Sequence, residues 1–91
     1  MTTHYSRGYR LEADVVQDYR EHGWMAWRSA GSHTPVDVCA MRHGEIHLIQ
    51  CCASKKGKSK GELEILKALA VENGVRAWFA YRDKGIQMEE L

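Results

Sequence analysis

Apolar side chains early in the chain recur at helical spacing: Leu11, Val15, Val16 and Tyr19 fall on one stripe. They predict a helix from about Arg7 to His22, with Gly23 as its C-terminal stop. Trp24 to Arg28 is short and aromatic-rich and predicts a strand. Ser29 to Pro35, reading Ser-Ala-Gly-Ser-His-Thr-Pro, is a loop by composition. Val36 to Met41 predicts a second strand, Arg42-His43-Gly44 a tight turn, and Glu45 to Ala53 a third strand, so the second and third strands form a hairpin.

Ser54 to Lys60 is a basic loop, and Ser59 with Glu62 has the spacing of a capping box. The helix it opens carries Leu63, Leu66, Leu69 and Ala70 and ends at Asn73-Gly74. Val75 to Tyr81 is nearly continuous in apolar residues, as in a strand covered on both faces. Asp83 to Gly85 makes a turn, and Ile86 to Glu89 is long enough for a short further edge strand. The order is α-β-β-β-α-β, an α/β class of fold, and no internal repeat is visible.

With 91 residues the chain is expected to form one domain over residues 1–91. A core this small makes a second copy a natural source of further buried surface. No stretch reaches the ~20 apolar residues of a membrane span, and Met1 to Arg10 lacks the apolar core of a secretory signal. The expected location is the cytoplasm, or a host cytoplasm if the chain is viral. Cys39, Cys51 and Cys52 are odd in number. The adjacent pair points to opposite faces of a strand, so no disulfide framework is expected. Cys-Cys with scattered histidines does not give zinc spacing either. His4, His22, His33, His43 and His47 show no ligand spacing, and Trp24, Trp27 and Trp78 read as core or dimer-interface residues rather than base-stacking platforms. Net charge is only +1, but Lys55, Lys56, Lys58 and Lys60 crowd one segment. Such a loop can bind phosphate, although a run of charge is usually a solvated face.

Four positions invite a chemical reading. Glu12 lies within about 60° of the apolar stripe of its helix. A carboxylate there is paired with Arg or Lys, or is aimed at a metal, and position alone favours the pair. Asp37 opens a strand otherwise made of Val, Cys, Ala and Met, where Asp is disfavoured. It is either a strand-end Asp satisfied by local backbone or a site residue. Gln50 and Cys52 share one face of the third strand with Leu48, while Ile49 and Cys51 face the other way. They are either a hydrogen-bonded amide and a small apolar thiol, or members of a site that Asp37 reaches across the hairpin.

An acid on the first helix, Pro-x-Asp, a hairpin and a strand carrying Gln-x-Cys together resemble the PD-(D/E)xK nuclease superfamily, whose last motif is normally Glu-x-Lys. The segment RSAGSHTPVDVCAMRHGEIHLIQCCASKKGKS resembles the archaeal-type Holliday junction resolvases, also carried by some viruses. The resemblance runs from Ser6 to Tyr81. It implies a restriction-endonuclease-like core, a mixed sheet flanked by helices. It also implies a homodimer that cuts four-way DNA with Mg²⁺, or Mn²⁺, by phosphodiester hydrolysis. Asp37, Gln50, the Cys51 carbonyl and Glu12 would serve the metal, and Ser32 would lie near the scissile phosphate. Arg7, Arg10, Arg28, Ser32, His33, Lys55, Lys56, Lys58 and Lys60 would meet DNA. Two positions depart from the family pattern. Gln50 removes one negative charge, and Cys52 stands where the catalytic lysine belongs. A thiol neither stabilises phosphoryl charge nor suits Mg²⁺. Lys55 or Lys56 could reach in from the loop. The expectation is a weakened nuclease, with a catalytically inactive DNA-binding module on the same fold as the alternative. A small interaction protein that binds no nucleic acid is a third reading.

Overall fold

The computed structural model describes the backbone of residues 4–29, 34–54 and 60–91, and the side chains from Tyr9 onward. The elements are α1 (His4–Glu21), β1 (Met25–Arg28), β2 (Val38–Arg42), β3 (Glu45–Cys52), α2 (Lys60–Asn73), β4 (Arg76–Arg82) and β5 (Ile86–Glu90). The strands form one sheet in the order β1-β2-β3-β4-β5. β3 and β4 run parallel, joined through α2, and the other neighbours are antiparallel. The fold is α/β with a mixed sheet, and β5 is the further edge strand that Ile86 to Glu89 suggested.

Strand alternation sorts the core into two layers. On one face Leu11, Val15 and Val16 of α1 pack with Val38, Ala40, Ile49 and Ala80, and Cys51 joins them. On the other face Leu66 and Ala70 of α2 pack with Ala77 and against Leu48. β3 therefore sends Ile49 and Cys51 towards α1 and Leu48 towards α2, and it is covered on both sides. His47 is buried, with its ring nitrogens against the Tyr19 hydroxyl at 2.9 Å and the Glu45 carboxylate at 2.8 Å. Trp24 and Trp78 flank its ring, so this histidine is a satisfied core residue.

Turns follow from residue type. The hairpin between β2 and β3 turns on His43 (φ 52°) and Gly44 (φ 82°), two left-handed residues in succession, which is the twist that tight hairpins need. α1 closes at Gly23 (φ 86°), where the Trp24 amide reaches back to the Tyr19 carbonyl at 3.1 Å.

The structure differs from the sequence reading at the start of β2. The strand begins at Val38 rather than Val36. The Asp37 amide donates to the Ile49 carbonyl at 2.8 Å, although Ile49 is the register partner of Val38. The ladder slips by one residue there and stops. Ser59 lies outside the described residues, and one carboxylate oxygen of Glu62 is taken by Gln50.

Leu66 is fully buried and is the main apolar anchor of α2 on the sheet. Leu66→Ala is expected to lower unfolding free energy by about 2–4 kcal/mol in a urea titration. A loss below about 1 kcal/mol would mean that α2 is not held through this contact.

Candidate functional site

Where β2 stops, β3 continues beside β4 to Cys52. Its edge facing β2 then has no strand to pair with among the described residues. The side chain of Asp37 fills the gap, and its Oδ2 accepts the Cys51 amide at 2.8 Å. Backbone groups alternate in direction along a strand, and both groups of one residue point to the same edge. The Ile49 carbonyl and the Cys51 amide both face Asp37, so the Cys51 carbonyl faces that edge too. The Cys51 side chain instead packs into the α1 layer, where burial pushes its thiol pKa well up. Cys51 can therefore serve this edge only through its main chain.

Gln50 approaches from the α2 face. It is 8% exposed. Its Nε2 donates to Glu62 Oε2, on the first turn of α2, at 2.6 Å. A carboxylate can only accept, so the amide must turn its NH₂ to Glu62 and its oxygen away. That oxygen, Gln50 Oε1, is buried with no hydrogen-bond partner among the described residues. Buried polar atoms are nearly always partnered, so an orphan of this kind calls for a reason.

Charge collects around Asp37. Burial raises its pKa most, and the nearby carboxylates of Glu12 and Glu62 raise it further. The Cys51 amide and Arg28 oppose them, and the balance pushes the group up to about 6. Glu12 does not meet Asp37 directly: its Oε1 accepts from Arg28 Nε at 3.0 Å. The Arg28 guanidinium also lies over the Tyr9 ring, 3.9 Å from its centre. Cys52 is half-buried on the strand after Gln50 and Cys51. Arg10 and Lys60 are exposed. Ser32, His33, Lys55, Lys56 and Lys58 and the side chain of Arg7 lie outside what is described.

The structure thus brings Asp37 and the Cys51 main chain to one edge, with Gln50 next to Cys51 on the α2 face and the charges of Glu12 and Glu62 reaching Asp37. Among the described residues no three His, Cys, Asp or Glu side chains cluster as a metal site. A carboxylate, an amide oxygen and a main-chain carbonyl are hard oxygen donors of the kind Mg²⁺ and Mn²⁺ take, and the unpartnered Gln50 Oε1 would suit a cation.

The family model described as "Archaeal holliday junction resolvase (hjc)" matches residues 3–90. The chain belongs to the archaeal Holliday junction resolvase family. Among solved structures the fold matches Archaeoglobus fulgidus Hjc, a Holliday junction resolvase from an archaeal hyperthermophile, with a TM-score of 0.76 and 25% identity. The match covers 93% of this chain and 73% of that one. A search of curated proteins returns no match. Family membership implies a Holliday junction as substrate, and nucleases of the Hjc family generally use divalent metals.

Sequence reasoning missed Glu62. Its spacing from Ser59 had assigned it to a helix cap, and only the turn of α2 onto Gln50 shows its other partner. The signal available was a buried-face glutamine in need of an acceptor.

Asp37 carries a folded pKa above its unfolded value of about 3.9. The native state therefore binds the extra proton between about pH 4 and 6, and the ionised form weakens folding fully above that window. Asp37→Asn keeps an oxygen for the Cys51 amide and removes the charge. It is expected to raise stability by about 1 kcal/mol at pH ~7.5, because solvent screens part of the repulsion at this half-buried carboxylate. The gain should disappear near pH ~4 in thermal melts. An equal gain at both pH values would place its source elsewhere.

Proposed function

We propose that this chain is a metal-dependent endonuclease acting on four-way DNA, slowed by a thiol at position 52. The carrying observation is the edge where Asp37 holds the Cys51 amide while Gln50 leaves a buried amide oxygen unsatisfied. Asp37, Gln50 Oε1 and the Cys51 carbonyl would hold Mg²⁺, or Mn²⁺, with Glu12 adding charge from outside. A divalent ion bound there supplies an activated water and neutralises charge on the phosphate. The residues do the rest. Asp37 fixes the end of β3, Gln50 presents a neutral oxygen, and the Glu12–Arg28 pair holds a guanidinium at the rim.

Position 52 is the weak point. The lysine that the family pattern has there would orient the attacking water and stabilise phosphoryl charge. Cys52 does neither, which favours the second reading, a junction-binding module without turnover. Arg10, Arg28 and Lys60 would meet backbone phosphate, with Arg7, Ser32, His33, Lys55, Lys56 and Lys58 as further contacts. Such a protein would work in the cytoplasm of a cell, or of a host if it is viral. No helix among the described residues is long and apolar enough to cross a membrane.

An apolar patch supports the reading of a homodimer. Met25 opposes Met41 and Trp27 opposes Cys39 across β1 and β2, and Met25, Trp27 and Met41 are exposed. Ala26 and Ala40 point the other way into the α1 layer, while α2 lies over β3 and β4. A two-fold pair of chains would cover this face and set two sites against a two-fold junction.

Cys52→Lys is expected to speed cleavage of a labelled four-way junction by at least about a hundredfold with Mg²⁺ or Mn²⁺, and Asp37→Asn added to it to abolish the gain. Inert parent and Cys52→Lys chains with salt-dependent junction binding would establish the binding module instead. Absent or salt-insensitive binding would remove nucleic acid from the account.

Trp27→Glu is expected to shift the protein from dimer to monomer in analytical ultracentrifugation. A parent that already sediments as a monomer would contradict the dimer.

A further inference from the structure

Gln50 removes one negative charge from the edge that Asp37 marks, and the same amide leads to a carboxylate one layer away. Gln50 Nε2 donates to Glu62 Oε2 at 2.6 Å. Gln50 itself is 8% exposed, and its other amide atom is the orphaned Oε1. Glu62 sits on the first turn of α2, where a carboxylate is favoured by the helix dipole. Its charge also reaches Asp37.

We infer that Glu62 is a positioning residue for the cation pocket: it turns Gln50 so that the amide oxygen is the free donor, and it supplies from α2 the negative charge that position 50 lacks. The inference rests on the cation pocket proposed above. Gln50 and Glu62 then form one unit in which the carboxylate and the amide have exchanged places relative to a strand-borne Glu. An amide between a carboxylate and a cation is polarised by both: the carboxylate draws on its N–H, and the oxygen gains negative character. Glu62 need not touch the ion to strengthen its binding.

This arrangement predicts that the charge can be moved back. In Glu62→Gln combined with Gln50→Glu, the amide at 62 donates to the carboxylate at 50. The hydrogen bond persists and the charge now sits on β3. Glu62→Gln alone keeps the side-chain shape, loses the charge and no longer dictates which amide atom faces the pocket.

The test titrates Mn²⁺ alone, without DNA, into the full chain and its variants, reading free Mn²⁺ by electron paramagnetic resonance. Asp37→Asn is the reference for the pocket, and metal-free melting curves report folding. Glu62→Gln is expected to bind Mn²⁺ at least about tenfold more weakly than the parent, and the double exchange to return within about threefold of it. Parent-like binding by Glu62→Gln, with Asp37→Asn weakened, would overturn the role of Glu62 and leave the pocket standing. A double exchange as weak as Glu62→Gln would likewise overturn it. Parent-like binding by Asp37→Asn would overturn the pocket and, with it, this inference.

Discussion

The Asp37 carboxylate accepts the Cys51 amide at 2.8 Å at the point where β2 gives out and β3 runs on. A strand edge left open there would strand a main-chain donor in a half-buried place. The side chain satisfies it and in doing so fixes itself against the strand. The one-residue slip that brings the Asp37 amide to the Ile49 carbonyl is part of the same arrangement. So is the direction of the Cys51 carbonyl, which follows from the direction of its amide. This side-chain-to-backbone contact thus sits where the β2–β3 ladder ends, beside the edge that the Cys51 carbonyl faces.

Around that contact the protein accumulates unfavourable charge. Asp37 is partly buried, with Glu12 and Glu62 near it and Arg28 as the opposing cation. Without a cation, such an arrangement pushes the carboxyl pKa up and weakens the fold at neutral pH. Sites built to bind a metal are expected to carry this kind of repulsion, which the ion relieves. In the proposed pocket the departures from the family pattern would act on different parts of the chemistry. Gln50 would change how the cation is held, and Glu62 would offer a way for the charge to remain. Cys52 would leave the phosphate without the positive group of the family pattern. Holding a metal and turning over substrate would then be separable in this chain.

Much of the layout was legible in the sequence because it rests on local signals. The 3.6-residue stripe of Leu11, Val15, Val16 and Tyr19 and the period-two alternation of Leu48, Ile49 and Cys51 emerge as the two packing layers. His43-Gly44 marked the hairpin, and Ile86 onward was readable as an edge strand. The start of β2 was not legible, because Val36 and Asp37 have the composition of a strand and leave the ladder only through a non-local bond to Ile49. The sequence left open which cation Glu12 would meet, and only the approach of β1 to α1 brings Arg28 to it. Glu62 was hidden for a similar reason. Its local spacing supported a cap, while its contact with Gln50 depends on how α2 crosses the sheet.

The central claim is that the end of β3 is a cation pocket made of one carboxylate, one amide oxygen and one main-chain carbonyl. The most direct measurement is a crystal structure soaked in Mn²⁺, with the ion located by its anomalous scattering. The account predicts a peak bound by an Asp37 carboxylate oxygen, Gln50 Oε1 and the Cys51 carbonyl, at about 2.0–2.3 Å from each. Strong Mn²⁺ peaks elsewhere and none beside Asp37, or a Gln50 amide turned with its nitrogen towards Asp37, would contradict it.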